Sequence, residues 1–187
     1  GSLEAVRPPA GRLVRDRHKD LRILLGEIGD APRKFVVVFR VFDDGVGFRY
    51  EVPEQPNLSE FTIMDELTEF TYTADHEIWY IPAFQGNRYE YLYIPSSLSQ
   101  AGTSMHTPMP IRTVDRPGKQ LYVAMHEAAL VDYASMTLKP SVTLTKTKFL
   151  LKAKLVPWKN GDLVRTAAPM VSPWRTLQIG RRAVDLV

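Results

Sequence analysis

The first place to look for chemistry is His126-Glu127, because a His-Glu-x-x-His run can hold zinc on two imidazoles and use the glutamate as a base. The second imidazole would fall at position 130, which is Leu130, and His18, His76 and His106 show no ligand spacing either. Zinc hydrolysis is therefore disfavoured. No Gly-x-Ser-x-Gly elbow offers a serine nucleophile, and neither a P-loop nor Gly-x-Gly-x-x-Gly cradles a phosphate. Asp43-Asp44-Gly45 has the opening of a calcium loop but not its remaining ligand positions. Glu127 keeps its interest because an apolar stretch ends there and Ala128, Ala129 and Leu130 follow. A carboxylate flanked by apolar residues must be paired, bound to a metal or placed at a rim. Burial arguments alone favour a rim glutamate in a salt bridge.

The aromatic residues Trp79, Tyr80, Tyr89, Tyr91 and Tyr93 have two readings. Rings on a surface make stacking platforms for sugars, and Trp79, Tyr89 and the adjacent Glu90 are the candidate substrate contacts. Most aromatics in β-sandwiches are core, however, and that is the plainer reading here and for Trp158 and Trp174. Arg12, Arg15, Arg17, His18, Lys19 and Arg22 form the densest basic cluster, interrupted by Asp16 and Asp20. Mixed runs of this kind are usually solvated faces rather than phosphate sites.

These residues must be positioned by strands. Phe35 to Val52 reads FVVVFRVFDDGVGFRYEV: an apolar run, a break at Asp43-Asp44-Gly45, then strict alternation through Val46, Phe48, Tyr50 and Val52. Asp-Gly between two such runs predicts a β-hairpin, with Gly45 free to take φ > 0, and the first strand is expected inside its sheet. Phe61 to Thr73 has apolar residues every third position, but its threonines and Tyr72 favour strand. Ile78–Ile81 and Tyr89–Ile94 predict a strand pair around Gln85-Gly86-Asn87, and Pro95 to Pro110 a long loop. Leu121–Met125 and the stretch Val142–Val156, stopped by Pro157, are further strands. Pro169 and Pro173 bracket an extended piece leading to Leu177 and Ile179. Many short strands with regular turn signals indicate an all-β antiparallel β-sandwich.

Composition agrees with one domain of ordinary globular type: 187 residues, 44% hydrophobic and 24% charged. A net charge of only +3 argues against a nucleic-acid partner. No apolar run approaches the roughly 20 residues that span a bilayer, so no membrane partner is expected. The absence of cysteine excludes disulfides and thiolate metal sites. Gly1-Ser2 reads as a tag scar, giving a lead-in over 1–20 and a β-sandwich over 21–187.

Five stretches taken together resemble the N-terminal domain of family 97 glycoside hydrolases, the α-glucosidase and α-galactosidase group. They are Arg40–Tyr50 (RVFDDGVGFRY), Asp65–Phe70 (DELTEF), Trp79 followed by Tyr89–Tyr93 (YEYLY), Glu127–Leu138 (EAALVDYASMTL) and Ser172–Gly180 (SPWRTLQIG), in the family's order. Two departures are Ser172, where threonine is usual, and His126, where a small hydroxyl residue is common. The resemblance implies part of a galactose-mutarotase-like super-sandwich, with further strands before this chain and a catalytic (β/α)8 barrel after it. It implies that catalytic residues are absent here and that the isolated chain is inactive. It also implies that Glu127 helps bind calcium beside the barrel's glutamates, while this chain alone holds no ion and leaves Glu127 partly exposed at a strand end. A bacterial periplasmic or secreted enzyme acting on α-glycosides is implied. The alternative, from the aromatic runs, is a stand-alone carbohydrate-binding or interaction module. Missing strands would leave unpaired edges, so self-association of the chain is expected.

Overall fold

The structure is a computed structural model that describes residues 16–86, 90–142 and 149–186. The hairpin expected around Asp43 is present as β2 (Lys34–Phe42) and β3 (Gly45–Val52), paired antiparallel with Phe42 opposite Gly45. β2 lies inside its sheet, between β3 and β1 (Lys19–Gly26), and Val36 and Val38 are buried. The role of Gly45 differs from the expectation. Its φ is not positive; instead a Cβ there would lie 2.3 Å from the Leu177 carbonyl oxygen. Glycine is needed because the neighbouring strand's backbone comes too close for a side chain.

That neighbour is β15 (Trp174–Gly180), whose other side pairs with β10 (Tyr122–Ala128). The sheet continues through β9 (Met109–Arg112), β6 (Glu77–Tyr80) and β7 (Ile94–Ser97), while β14 (Met170–Val171) extends β15 alongside β3. A second, four-stranded sheet has the order β5 (Glu69–Tyr72), β12 (Phe149–Leu155), β11 (Met136–Val142), β8 (Met105–His106). A short pair, β4 (Glu60–Ile63) with β13 (Val164–Ala167), closes one end. All pairings are antiparallel, and the all-β sandwich stands.

The core lies between the two larger sheets. Ile78, Tyr80, Met109, Ile111 and Met125 from one face Phe70, Met105, Met136, Leu138, Leu151 and Leu155 from the other. Side-chain alternation accounts for this: in β6, Ile78 and Tyr80 are buried while Glu77 turns outward to Arg112, 2.5 Å away. Burial of these side chains, at about 25 cal/mol per Å², supplies the main stabilisation.

Several element boundaries differ from those expected. Phe61–Thr73 is two short strands, β4 and β5, belonging to different sheets and separated by Met64–Thr68. Pro95–Pro110 is not one loop: β7, β8 and part of β9 fall within it. Of the strand expected over Tyr89–Ile94, residues 90–93 are not strand and β7 opens at Ile94, while Tyr91 and Tyr93 are exposed rather than core. Trp158, also expected in the core, is 62% exposed beneath the Arg165 guanidinium. Leu144, in the alternation that predicted a strand near Val142, lies outside the described residues, as do Arg12 and Arg15. β1 opens at Lys19, two residues before the boundary read from the sequence.

Candidate functional site: a buried carboxylate–guanidinium cluster

Alternation along β15 puts Arg175 on the same face as Leu177, toward the core, and opposite Glu127 of β10. Arg175 is completely buried. Its Nη1 donates to Glu127 Oε2 at 2.8 Å, and its Nε and Nη2 donate to the two oxygens of Glu66 at 2.9 and 2.5 Å. Glu66 comes from the Met64–Thr68 link between β4 and β5, so one guanidinium ties the large sheet to that link. The planar fork of arginine suits such bidentate holding; a lysine could not reproduce it.

The remaining lone pairs are well used. Thr68 Oγ1 donates to Glu66 at 2.9 Å and Tyr133 Oη at 3.2 Å, while Tyr50 Oη lies 2.6 Å from Thr68 Oγ1. The Met136 amide donates to both oxygens of Glu127 at 3.1 Å. Tyr133 lies within the link from β10 to β11 and Met136 ends it; in that link Ala129 and Asp132 take positive φ of 56° and 49°. Non-glycine residues hold such backbone only where their surroundings fix it, and here the cluster does so.

Two carboxylates share one guanidinium, so the cluster carries one formal negative charge in excess. Burial pushes the Glu127 carboxyl above its ordinary range, opposed by the Met136 amide and by Arg175. Burial likewise raises the Tyr133 phenol. A cavity of about 360 Å³ beside Glu66 is lined by Tyr50, Phe61, Leu67 and Tyr133, and a groove of about 600 Å³ runs from Tyr133 past Trp158. Chemically the cluster positions strands and a link. With Arg175 between them, Glu66 and Glu127 do not form an acid–base pair across an open site, which glycoside cleavage requires.

Glu127 is 9% exposed, so the expectation of a partly exposed glutamate is corrected, as is the rim reading: its salt bridge is internal. It does lie at the strand end, one residue before β10 stops. His126 points outward, and its carbonyl accepts the Thr176 hydroxyl at 3.0 Å. Trp79 is half-buried on the outer side of β6, the opposite face from Glu127's, and Glu90 is exposed. Tyr89 lies outside the described residues. Sequence reasoning missed Glu66 and Arg175 as a pair. The signal available was parity: Arg175 alternates with Leu177 and Ile179, so an inward charge was readable before its partner was known.

Comparison with known proteins fits this arrangement. The family model described as Glycosyl-hydrolase 97 N-terminal matches residues 4–187. A family 97 glycoside hydrolase from Pseudoalteromonas sp. strain K8, solved with acarbose, is 38% identical with a TM-score of 0.80 over 92% of this chain. A variant of that enzyme solved with panose matches equally well. The chain spans about a quarter of the length of those enzymes, 25%. A β-arabinopyranosidase shares the fold alone, at 21% identity and a TM-score of 0.64 over 96% of this chain and 36% of its own.

Proposed function

The chain belongs to the Glycosyl-hydrolase 97 N-terminal family, and on that footing we propose that it is the non-catalytic N-terminal portion of a calcium-dependent α-glycoside hydrolase. The activity would be of α-glucosidase or α-galactosidase type, in a periplasmic or secreted bacterial enzyme. The observation that carries the reading is the excess negative charge at Glu66–Arg175–Glu127, a cluster buried within this chain yet ending at a strand terminus.

The donor set fits calcium in part. Carboxylate oxygens are the hard donors it prefers; Glu127 Oε1 accepts the Met136 amide and retains a lone-pair site, whereas Oε2 accepts both that amide and Arg175. Calcium takes six to eight oxygens, so one glutamate supplies only a share and the rest come from outside this chain. Among the described residues no three His, Cys, Asp or Glu side chains group together. Bound calcium would orient carboxylates and substrate oxygens and offset clustered negative charge. This chain's own residues do the holding: Arg175 and the Met136 amide fix the Glu127 carboxylate in place, and Glu66 fixes Arg175. Trp79, Tyr89 and Glu90 are proposed as sugar contacts at the domain's face.

The test is calcium titration of the full-length enzyme by calorimetry, alongside turnover of aryl α-glycosides. Glu127→Gln should weaken calcium affinity and lower turnover together, because an amide binds calcium less well than a carboxylate. Wild-type calcium affinity and rate in that variant would refute the assignment. The exposed Tyr91 and Tyr93 favour a second reading, a carbohydrate-binding module. It predicts that this chain alone binds maltooligosaccharides, and no binding would remove it.

A further inference from the structure

His76 is 4% exposed and takes no part in the carboxylate–guanidinium cluster. It ends the link from β5 to β6, residues 73–76, where the chain crosses from the second sheet to the large one. Two other links are fastened to it. Its carbonyl accepts the Leu98 amide at 3.1 Å, just after β7. Its ring nitrogen Nδ1 accepts the Val114 amide at 3.3 Å, from the link between β9 and β10. A backbone amide can only donate, so Nδ1 must present a lone pair and the ring proton sits on Nε2. That hydrogen bond therefore exists only while the imidazole is neutral.

Two carboxylates flank the ring, each with a partner of its own. Asp75 accepts the Ser99 amide at 2.8 Å and the Ser99 hydroxyl at 2.6 Å, and Asp115 accepts the Thr73 hydroxyl at 2.9 Å. Tyr72 of β5 meets the imidazole edge to face, with ring centroids 5.8 Å apart. Its phenol turns to Met125 Sδ and is raised by burial, so it brings no charge. Two effects compete over the second ring proton. Burial disfavours the imidazolium and is the larger, while Asp115 and Asp75 favour it. The ring titrates below its ordinary value of 6.5, and the two carboxylates limit how far.

The geometry points to His76 as an acid-sensitive latch on the link from Thr113 to Leu121. Protonation puts an N–H on Nδ1, which then faces the Val114 amide donor to donor, and the amide must turn away. The link stays attached beside the break. Asp115 still holds the Thr73 hydroxyl, and the Thr113 amide still donates to the Leu121 carbonyl at 2.9 Å, so only the corner at Val114 opens. The same link carries Arg116 and Lys119, which with Arg112 and Arg181 line a basic cleft of about 760 Å³. Release of the corner frees that wall to move while the strands behind it remain paired. The latch is a property of the fold and is independent of the glycosidase reading.

The experiment is NMR on the purified chain, following the His76 ring and amide hydrogen exchange through one acid titration. At neutral pH the ring should be the Nε2–H tautomer. As the ring protonates, Val114 protection, corrected for intrinsic exchange, should fall about fivefold or more, the factor equivalent to a hydrogen bond of ~1 kcal/mol. Thr113 should keep its protection. His76→Gln offers an acceptor that cannot be protonated, so its Val114 protection should not change with pH. The neutral ring's contribution to stability is complete above the ordinary value of 6.5 and is lost as pH falls through the folded one. The melting temperature of wild type relative to His76→Gln should therefore drop over the same range. If that variant does not melt cooperatively, the wild-type titration decides alone. An Nδ1–H tautomer at neutral pH, or a ring that stays neutral until acid unfolds the chain, would overturn the proposal. So would Val114 protection that is constant through the ring's titration, or loss at Thr113 in step with Val114.

Discussion

A buried ion cluster is held as a unit, and its members respond differently to removal. Arg175→Leu would leave Glu66 and Glu127 facing each other without a counter-charge, a loss of ~3–5 kcal/mol on the scale of broken buried pairs. Glu127→Gln removes the charge in excess and keeps an acceptor for the Met136 amide, so its cost should be well below that of Arg175→Leu. Urea denaturation of the two variants checks the order, and equal losses would contradict it. The pH dependence has a definite sign. The folded Glu127 carboxyl titrates above its ordinary value near 4.5 because burial disfavours the charged form. The folded state therefore holds this proton more tightly than the unfolded chain. Its stabilising contribution is complete below the unfolded value and is lost as pH rises through the folded one. Glu127→Gln cannot titrate, so its melting temperature relative to wild type should rise over the window that opens at the ordinary carboxyl value near 4.5 and extends upward. A constant difference across that window would mean that the carboxyl titrates normally.

The hairpin β2–β3 is the element on which the large sheet is built, and its tightest contact is with β15. The sheet's spacing there leaves no room for a Cβ at Gly45. Gly45→Ala must push back the Leu177 carbonyl, which belongs to the same strand as Arg175, so strain passes directly toward the cluster. A destabilisation of ~1–3 kcal/mol is expected, in the range of overpacked sites, measurable by thermal melting. An unchanged melt would show that β3 and β15 can part without cost. Turn chemistry alone would not give this expectation, since φ at Gly45 is not positive. Among the described residues, β5 has four residues and one strand neighbour, β12.

At the scale of the molecule, the chain has the fold of a family 97 N-terminal domain and spans a quarter of the family's solved enzymes. The carboxylates it brings together are bridged by arginine, which suits support rather than bond cleavage. The purified chain should show no turnover of aryl α-glucosides or α-galactosides. Turnover that persisted in Glu127→Gln would place a catalytic pair within this chain and displace the supporting role. No helix among the described residues is long and apolar enough to cross a membrane.

Sequence by itself determined the local facts. The hairpin, the inward parity of most strands and the all-β class follow from period-two alternation and from Asp-Gly, which act over a few residues. Five short motifs were enough to reach the family. Strand edges in the stretch 61–110 were not legible, because threonine-rich and proline-rich segments have no intrinsic preference strong enough to override tertiary pairing. The cluster shows the same division. Glu127 stood out by its apolar flanks, but its partners lie 48 residues away at Arg175 and, through that arginine, at Glu66. Only the folding of β15 between β3 and β10 brings those charges within hydrogen-bonding distance.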